Sequence, residues 1–300
     1  MPPPSRFSPP EAGASALAAM PAFVPGTPRP AGPGAFGDED YRVFQQKIQS
    51  RTGIRLVDYK PEQMRRRIST AAQRAGFGSF AAYVGAMERN AALLENFLET
   101  MTINVTELLR NPPRFDDLSR VILPGLVALR GQATPLSLWS AGCSYGAEAY
   151  TLALLLEEMA PRVPHRIKGT DIDEEILAKA RNPRFTAADM VNVSPARRAA
   201  HFQEAPEGTF VPRPALSARV QWAKHDLLAG AYPRAQYDLI ACRNVVIYFT
   251  DEAKERVYRG FFEALKPGGV LFVGGTERLA DHRAIGFDLA LPFFYRKPCG

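Results

Sequence analysis

From residue 136 onward, short runs rich in β-branched and aromatic residues alternate with stretches of helical period. This alternation restricts the fold more than any other feature of the chain. The β-rich runs are 136–141, Arg166–Asp171, Val220–Lys224, Tyr237–Cys242, 270–273 and 292–295. Between them, helices are expected through Tyr150, Leu154 and Leu155, through Ile176 and Ala180, and through Val257, Phe261 and Leu265. The pattern predicts an α/β domain with a doubly wound, mostly parallel sheet and a ligand at the carboxyl ends of its strands. Between residues 182 and 218 the alternation gives way to a stretch rich in Pro, Gly and Val. A helix is expected near Pro195–His201 and a hairpin around Gly208, so a small β-subdomain is predicted as an insertion at about residues 183–222.

The first third of the chain follows other rules. Residues 1–36 hold ten of the 26 prolines, and a tail at 1–37 is expected to be disordered because it has little apolar area to bury. Residues 38–101 read as a small all-α domain of four helices. Tyr41, Phe44 and Ile48 mark the first, and the stripe Met64, Ile68, Ala71, Ala75 marks the second. Phe80, Tyr83, Val84 and Met87 mark the third, and Leu93, Leu94, Phe97 and Leu98 the fourth. Residues 41–75 carry nine Arg or Lys against Asp58 and Glu62, a surplus larger than the net +6 of the whole chain. No apolar run approaches the roughly 18 residues of a membrane span, and no signal-peptide pattern opens the chain. Three cysteines without metal spacing and four scattered histidines argue against a disulfide framework or a metal site, so a reducing cytoplasm is expected.

Polar residues gather at the predicted strand tips. The first strand runs into Ser140-Ala141-Gly142-Cys143-Ser144-Tyr145-Gly146-Ala147-Glu148, where glycine lets backbone approach a ligand and a helix N-terminus offers unpaired N–H groups. A tight strand–helix turn explains the glycines equally well, and the absence of Gly-Lys-[Ser/Thr] argues against phosphoryl transfer. The second strand ends in Thr170-Asp171-Ile172-Asp173. Asp171 is placed to accept ribose hydroxyls and Asp173 to cap the next helix. Asp226-Leu227 follows the third strand, as an adenine-reading pair or simply a turn. The fourth strand ends in Cys242-Arg243-Asn244-Val245-Val246-Ile247-Tyr248-Phe249, with Tyr248 either a site residue or part of the core.

Together with Asn104-Val105-Thr106-Glu107-Leu108-Leu109-Arg110-Asn111-Pro112 and Lys266-Pro267-Gly268-Gly269, these strings resemble the chemotaxis-receptor glutamate methyltransferases of the CheR type. The resemblance spans about residues 40–297, and Cys-Arg-Asn-Val-x-Ile-Tyr-Phe is its most specific piece. It departs at Leu108-Leu109, where the family usually has aromatics, and at Ala147-Glu148-Ala149, where Glu-Glu-Pro is common. The resemblance implies a methyltransferase fold over 116–300, with a linker at 102–115 that reaches the donor site. It implies S-adenosylmethionine as donor, S-adenosylhomocysteine as product, and no metal. Carried over residue by residue, Asn104, Thr106 and Arg110 contact the donor, with Gly142 in the turn after the first strand. Glu148 faces the donor's charged end, Asp171 its ribose, and Asp226 and Leu227 its adenine. Arg243, Asn244 and Tyr248 line the transfer centre, with Arg110 and Tyr248 the candidate catalytic residues.

A glutamate carboxylate, with an ordinary pKa of about 4.3, is already a nucleophile at pH 7, so this chemistry needs no general base. The partners implied are the cytoplasmic methylation helices of chemoreceptors, held by Arg67 and Arg74 on the basic second helix. Nucleic acid is not expected, contact with the membrane would come only through receptors, and a monomer is expected. Two other readings remain at this point: a non-catalytic adaptor that binds S-adenosylmethionine, and a nucleic-acid methyltransferase suggested by the pI of 9.3. Some members of the family tether a receptor pentapeptide on the inserted subdomain by strand addition. Here only five residues separate Phe202 from Gly208, which predicts that the tether is not used.

Overall fold

The computed structural model describes residues 36–101 and 106–299; most of the Pro-rich tail and the linker candidate Asn104 lie outside them. Four helices form the first unit: α1 (Asp38–Thr52), α2 (Pro61–Arg74), α3 (Phe80–Met87) and α4 (Ala91–Met101). They close around Phe44, Ile48, Met64, Ile68, Phe80 and Phe97. The Ser79 hydroxyl caps α3 by accepting from Ala82 N. The Asp40 carboxylate accepts from Phe80 N and Ala81 N at 2.8 and 2.9 Å, tying α1 to the same helix end. The apolar stripe of α2 is Met64, Ile68 and Ala72, while Ala75 is exposed. Ala71 packs partly buried against the same core, whereas Ala75 lies one residue past the end of α2 and falls off the stripe.

Next come α5 (Pro112–Asp117), a π-helical turn (Leu118–Ile122) and α6 (Leu123–Arg130), one rod that the strand–helix pattern did not reveal. Pro124 has no N–H to give, and Leu123 N instead donates five residues back to Leu118 O.

The second unit then runs β1 (Ser137–Ala141), α7 (Ala147–Met159), β2 (Arg166–Asp171), α8 (Glu174–Arg181), α9 (Pro195–His201), β3 (Phe202–Ala205) and β4 (Thr209–Pro212). It continues with α10 (Pro214–Ser217), β5 (Val220–Lys224), β6 (Tyr237–Cys242), α11 (Asp251–Ala264) and β7 (Leu265–Val273). It closes with α12 (His282–Ile285), β8 (Asp288–Leu291) and β9 (Phe294–Arg296).

Seven strands form one sheet in the order β5-β2-β1-β6-β7-β9-β8. From β5 to β7 every pairing is parallel, and β9 runs antiparallel to both β7 and β8. The predicted doubly wound, mostly parallel sheet is therefore present. Successive residues of β1 serve opposite faces: Leu138 packs with Leu152 and Phe272, and Trp139 with Ile240 and Phe261. The chain reverses its direction of winding beside β1, between β2 and β6, and a crevice opens there at the strand tips.

Several expectations change. Leu265 belongs to β7, which starts five residues before the expected 270, and the expected strand at 292–295 resolves into a turn at 292–293 and the start of β9, with β8 preceding it. In that turn Phe293 has φ +75°, which breaks the extended run. β5 pairs with β2 as the sheet's edge strand, so an insertion reaching 222 is too long and ends before Val220. The hairpin expected around Gly208 is formed by β3 and β4, joined through Pro206–Gly208.

Candidate active site

The crevice encloses about 1140 Å³, part of it open to solvent. Its first wall grows from the ends of β1, β2 and β5. Gly142 N and Cys143 N both donate to Thr170 O, at 2.8 and 2.9 Å, so the β1 turn folds over the tip of β2. Gly142 has φ +77°, and a Cβ there would lie 2.5 Å from a methyl of Val245, so the turn must also pass close to the loop after β6. Asp171 is buried at the tip of β2, accepting from Ser144 N at 2.8 Å and from Asp173 N at 3.2 Å. Burial pushes its pKa up, and those backbone bonds offset only part of the rise. Asp173 caps α8, as expected, by accepting from Glu175 N and Ile176 N.

Past β5, Asp226 accepts from Leu228 N at 2.8 Å, and buried Leu227 gives its carbonyl to the Tyr232 hydroxyl at 2.6 Å. His225 was not anticipated. Its ring stands edge-on to Trp139 and its Nε2 has no hydrogen-bond partner. Burial and the nearby Lys168 lower its pKa, which keeps the ring neutral.

The second wall is built from the loop after β6. Arg243 is buried with its guanidinium between the rings of Phe115 and Phe272, at 4.8 and 4.7 Å. It donates from Nη2 to Arg110 O at 2.7 Å and lies 3.6 Å from Glu148, which also accepts from the Ser140 hydroxyl at 2.7 Å. Burial raises the Glu148 pKa against the pull of Arg243. These contacts give Arg243 a holding role: it fixes the main chain at Arg110, while its own charge is spent on Glu148. Asn244 sits in the left-handed region at φ +62°. Its strained turn is held by Glu277, a second residue that sequence reasoning missed. The Glu277 carboxylate accepts from Asn244 N at 2.5 Å, Val245 N at 2.9 Å and Gly274 N at 2.9 Å. The available signal was Gly274-Gly275-Thr276-Glu277 at the tip of β7, the same strand-end pattern that marked the other site residues.

The roof comes from the linker and the helical unit. Thr106 O accepts from the Tyr145 hydroxyl, and Arg110 lines the cleft beside Met101, the last residue of α4. Tyr59 reaches in from the segment before α2, its ring edge-on to Phe249 at 5.2 Å. Burial, with the charges of Asp226 and Asp171, raises its pKa. The segments that carry these rings are joined by backbone: Lys60 N donates to Tyr248 O and Thr250 N to Asp58 O, each at 2.9 Å.

Half-buried Tyr248 is raised in pKa by burial, against the charges of Arg67 and Arg110. Thr106, Arg110, Gly142, Glu148 and Asp171 thus line one cleft with Asp226, Leu227, Arg243, Asn244 and Tyr248. Arg67 is half-buried within electrostatic reach of Tyr248, while Arg74 is exposed and lines neither this cleft nor its neighbour.

The cleft suits a ligand with hydroxyls and a positive charge. Asp171 and Asp226 accept, a glycine turn yields space, and the His225 Nε2 is unpaired. Among the described residues, no group of three or more His, Cys, Asp or Glu is arranged to hold a metal, and no helix is long and apolar enough to cross a membrane.

Comparison with known proteins adds to this geometry. Residues 39–102 match the family model described as CheR methyltransferase, all-alpha domain, and residues 104–289 match CheR methyltransferase, SAM binding domain. A chemotaxis protein methyltransferase of Listeria monocytogenes is 35% identical over 260 residues, covering 87% of this chain and 98% of that protein. The protein of that name in Escherichia coli K12 is 30% identical over 254 residues, covering 82% of this chain and 86% of its own.

Proposed function

The chain belongs to the family of CheR methyltransferases, and from that premise we propose that it methylates glutamate side chains of chemoreceptors, using S-adenosylmethionine. The observation that carries this reading is the composition of the cleft: two strand-tip carboxylates, Asp171 and Asp226, line it together with Arg110 and Tyr248, and Tyr248 feels the charges of both Arg67 and Arg110. When bound, S-adenosylmethionine supplies a methyl group activated by its sulfonium. Asp171 and Asp226 hold the donor's sugar and base, and the Gly142 turn lets its chain pass close to backbone. Glu148, neutralised in part by Arg243, faces its charged end.

An acceptor glutamate arrives ionised at neutral pH, so no residue has to remove a proton. Arg110 and Tyr248 instead orient that carboxylate and exclude water from it, which is where alignment lowers the barrier. Arg67, on α2 beside Tyr248, brings the acceptor helix to the same place, and Arg74 extends the basic face one further step along the helix. Such an enzyme works in the cytoplasm as a monomer and meets the membrane through its receptors.

The test is transfer of labelled methyl groups to receptor cytoplasmic fragments. Base-labile label on glutamate is expected. Donor binding without any transfer would instead support a donor-binding adaptor, and transfer to nucleic acid would overturn the protein-directed reading.

The inserted hairpin supports one finer point. β3 and β4 are joined by only Pro206–Gly208, with Glu207 at φ +64° and a proline that has no N–H to donate. We infer that a receptor-tail pentapeptide is not held there and that methylation is indifferent to removing that tail. Micromolar binding of the peptide would overturn this.

A further inference from the structure

Next to the donor cleft lies a second cavity of about 780 Å³, part of it open to solvent, and Ile247 and Tyr248 line both. These two residues are a shared wall, so whatever is presented to Tyr248 from outside has its neighbouring atoms in the second cavity. Three cations face that space from three parts of the molecule: Lys60 ahead of α2, Lys254 on α11, and Arg278 after β7. Arg278 is exposed, lies over the Phe293 ring at 5.5 Å and makes no ion pair among the described residues. Lys254 meets Asp251 at 2.7 Å, but that carboxylate is 90% exposed, and such a pair is readily exchanged for another. Among the described residues the one carboxylate that lines the cavity is Glu277, and its oxygens are taken by backbone N–H groups of the loop. Among the described residues the lining is therefore a cationic recess, with exposed Asp251 at its edge beside Lys254 and Lys60.

Resting on the protein-glutamate reading above, we propose that this recess is an acceptor-side anion subsite. Lys60, Lys254 and Arg278 take an ionised carboxylate that flanks the methylated glutamate on the acceptor protein. The cations come from both structural units and converge beside Tyr248, so the subsite selects a glutamate by the charge of its neighbourhood. An acceptor whose flanking acids are replaced by amides forfeits this attraction and is a poorer substrate, although its own glutamate is unchanged.

The experiment compares the wild type with the triple variant Lys60→Gln, Lys254→Gln, Arg278→Gln. The acceptors are a receptor cytoplasmic fragment and the same fragment with the acidic residues flanking the methylated glutamate changed to amides. For the intact fragment the triple variant should raise KM about tenfold at low salt, the joint effect of three weak exposed pairs. Its kcat at saturating acceptor and its affinity for S-adenosylhomocysteine should be retained, and the KM difference should shrink as salt screens the charges. The amide fragment should show the raised KM with the wild type and little further rise with the variant. An unchanged KM in the triple variant overturns the subsite and leaves glutamate methylation standing, as do losses from the two changes that simply add. Failure of the wild type to methylate the fragment at all overturns the underlying reading, and the subsite with it.

Discussion

The wall of the cleft formed by the ends of β1, β2 and β5 is fastened almost entirely by backbone and short side chains. The facing wall is fastened by long side chains that reach across the fold. On the first, Thr170 O, Asp171 and Asp226 hold turns through N–H groups a few residues or one strand away. On the second, Arg243 spans from β6 to Arg110 and Glu148, and Glu277 reaches back from β7 to the turn at Asn244. The comparison suggests a division of labour. A backbone-fastened wall suits a donor that is the same at every turnover, while the long-armed wall holds Arg110 and carries Tyr248, the residues that the proposed function assigns to the acceptor.

If that division holds, the largest single effect comes from the second wall. Glu277→Ala strips the acceptor from three backbone N–H groups, two of them in a left-handed turn, and should cost about 3 kcal/mol or more in stability. Thermal unfolding measures it, and a variant that melts like the wild type would show that the turn holds itself.

On the first wall, Asp171→Ala should lose roughly 1.5–3 kcal/mol of donor affinity by calorimetry while changing kcat little at saturating donor. Unchanged affinity would remove Asp171 from the donor site. Arg110→Ala and Tyr248→Phe should invert that pattern, lowering kcat roughly tenfold or more with smaller effects on donor binding. Wild-type turnover in either variant would cancel its assigned role.

Reversing both Arg67 and Arg74 to Glu should raise the acceptor KM severalfold at low salt, less at high salt, and leave donor affinity alone. An equal acceptor KM would return these residues to a solvated face.

The smallest effect is in pH. The folded pKa of Asp171 lies above its ordinary value, so it protonates at a higher pH than a free carboxylate as the solution is acidified. A donor that needs the charged form should therefore bind more weakly on acidification, starting above the usual carboxylate range. His225 runs the other way in charge but the same way in pH. Its folded pKa is lowered, so the unfolded chain binds the extra proton, and stability is lost as pH falls below about 6.5. A His225→Gln variant should flatten that part of the stability curve.

Strand positions were legible where hydrophobic runs end in polar residues. Arg166–Asp171, Val220–Lys224 and Tyr237–Cys242 fall where the pattern placed them, as does α9. The strand-tip rule also led to residues that the fold gathers in one cleft. Contacts set by distant segments were not legible. Nothing local in Glu277 says that it caps a loop 33 residues earlier in the chain, and nothing in Tyr59 says that its ring meets Phe249. The hairpin turn falls at Gly208 as expected, but the far bound of the insertion was misplaced, because β3 and β4 are four residues each, too short for alternation to separate them from β5. The rod at 112–130 was missed because its prolines read as punctuation, although two of them open α5.

The two hydrogen bonds that join residues 58–60 to 248–250 bear on how force passes through the molecule. They sit between α2, which carries the basic face, and the segment that carries Tyr248. The Asp58 carboxylate accepts a further bond from Arg256 on α11 at 2.5 Å, which adds a side-chain clamp at the Asp58 end of this seam. A load applied to α2 by a docked protein cannot be absorbed by sliding of the helical unit alone. It either shears this short seam or pulls Tyr248 along with it. If α2 docks the acceptor as proposed, docking and alignment are in that sense one mechanical event, transmitted through three residues of main chain.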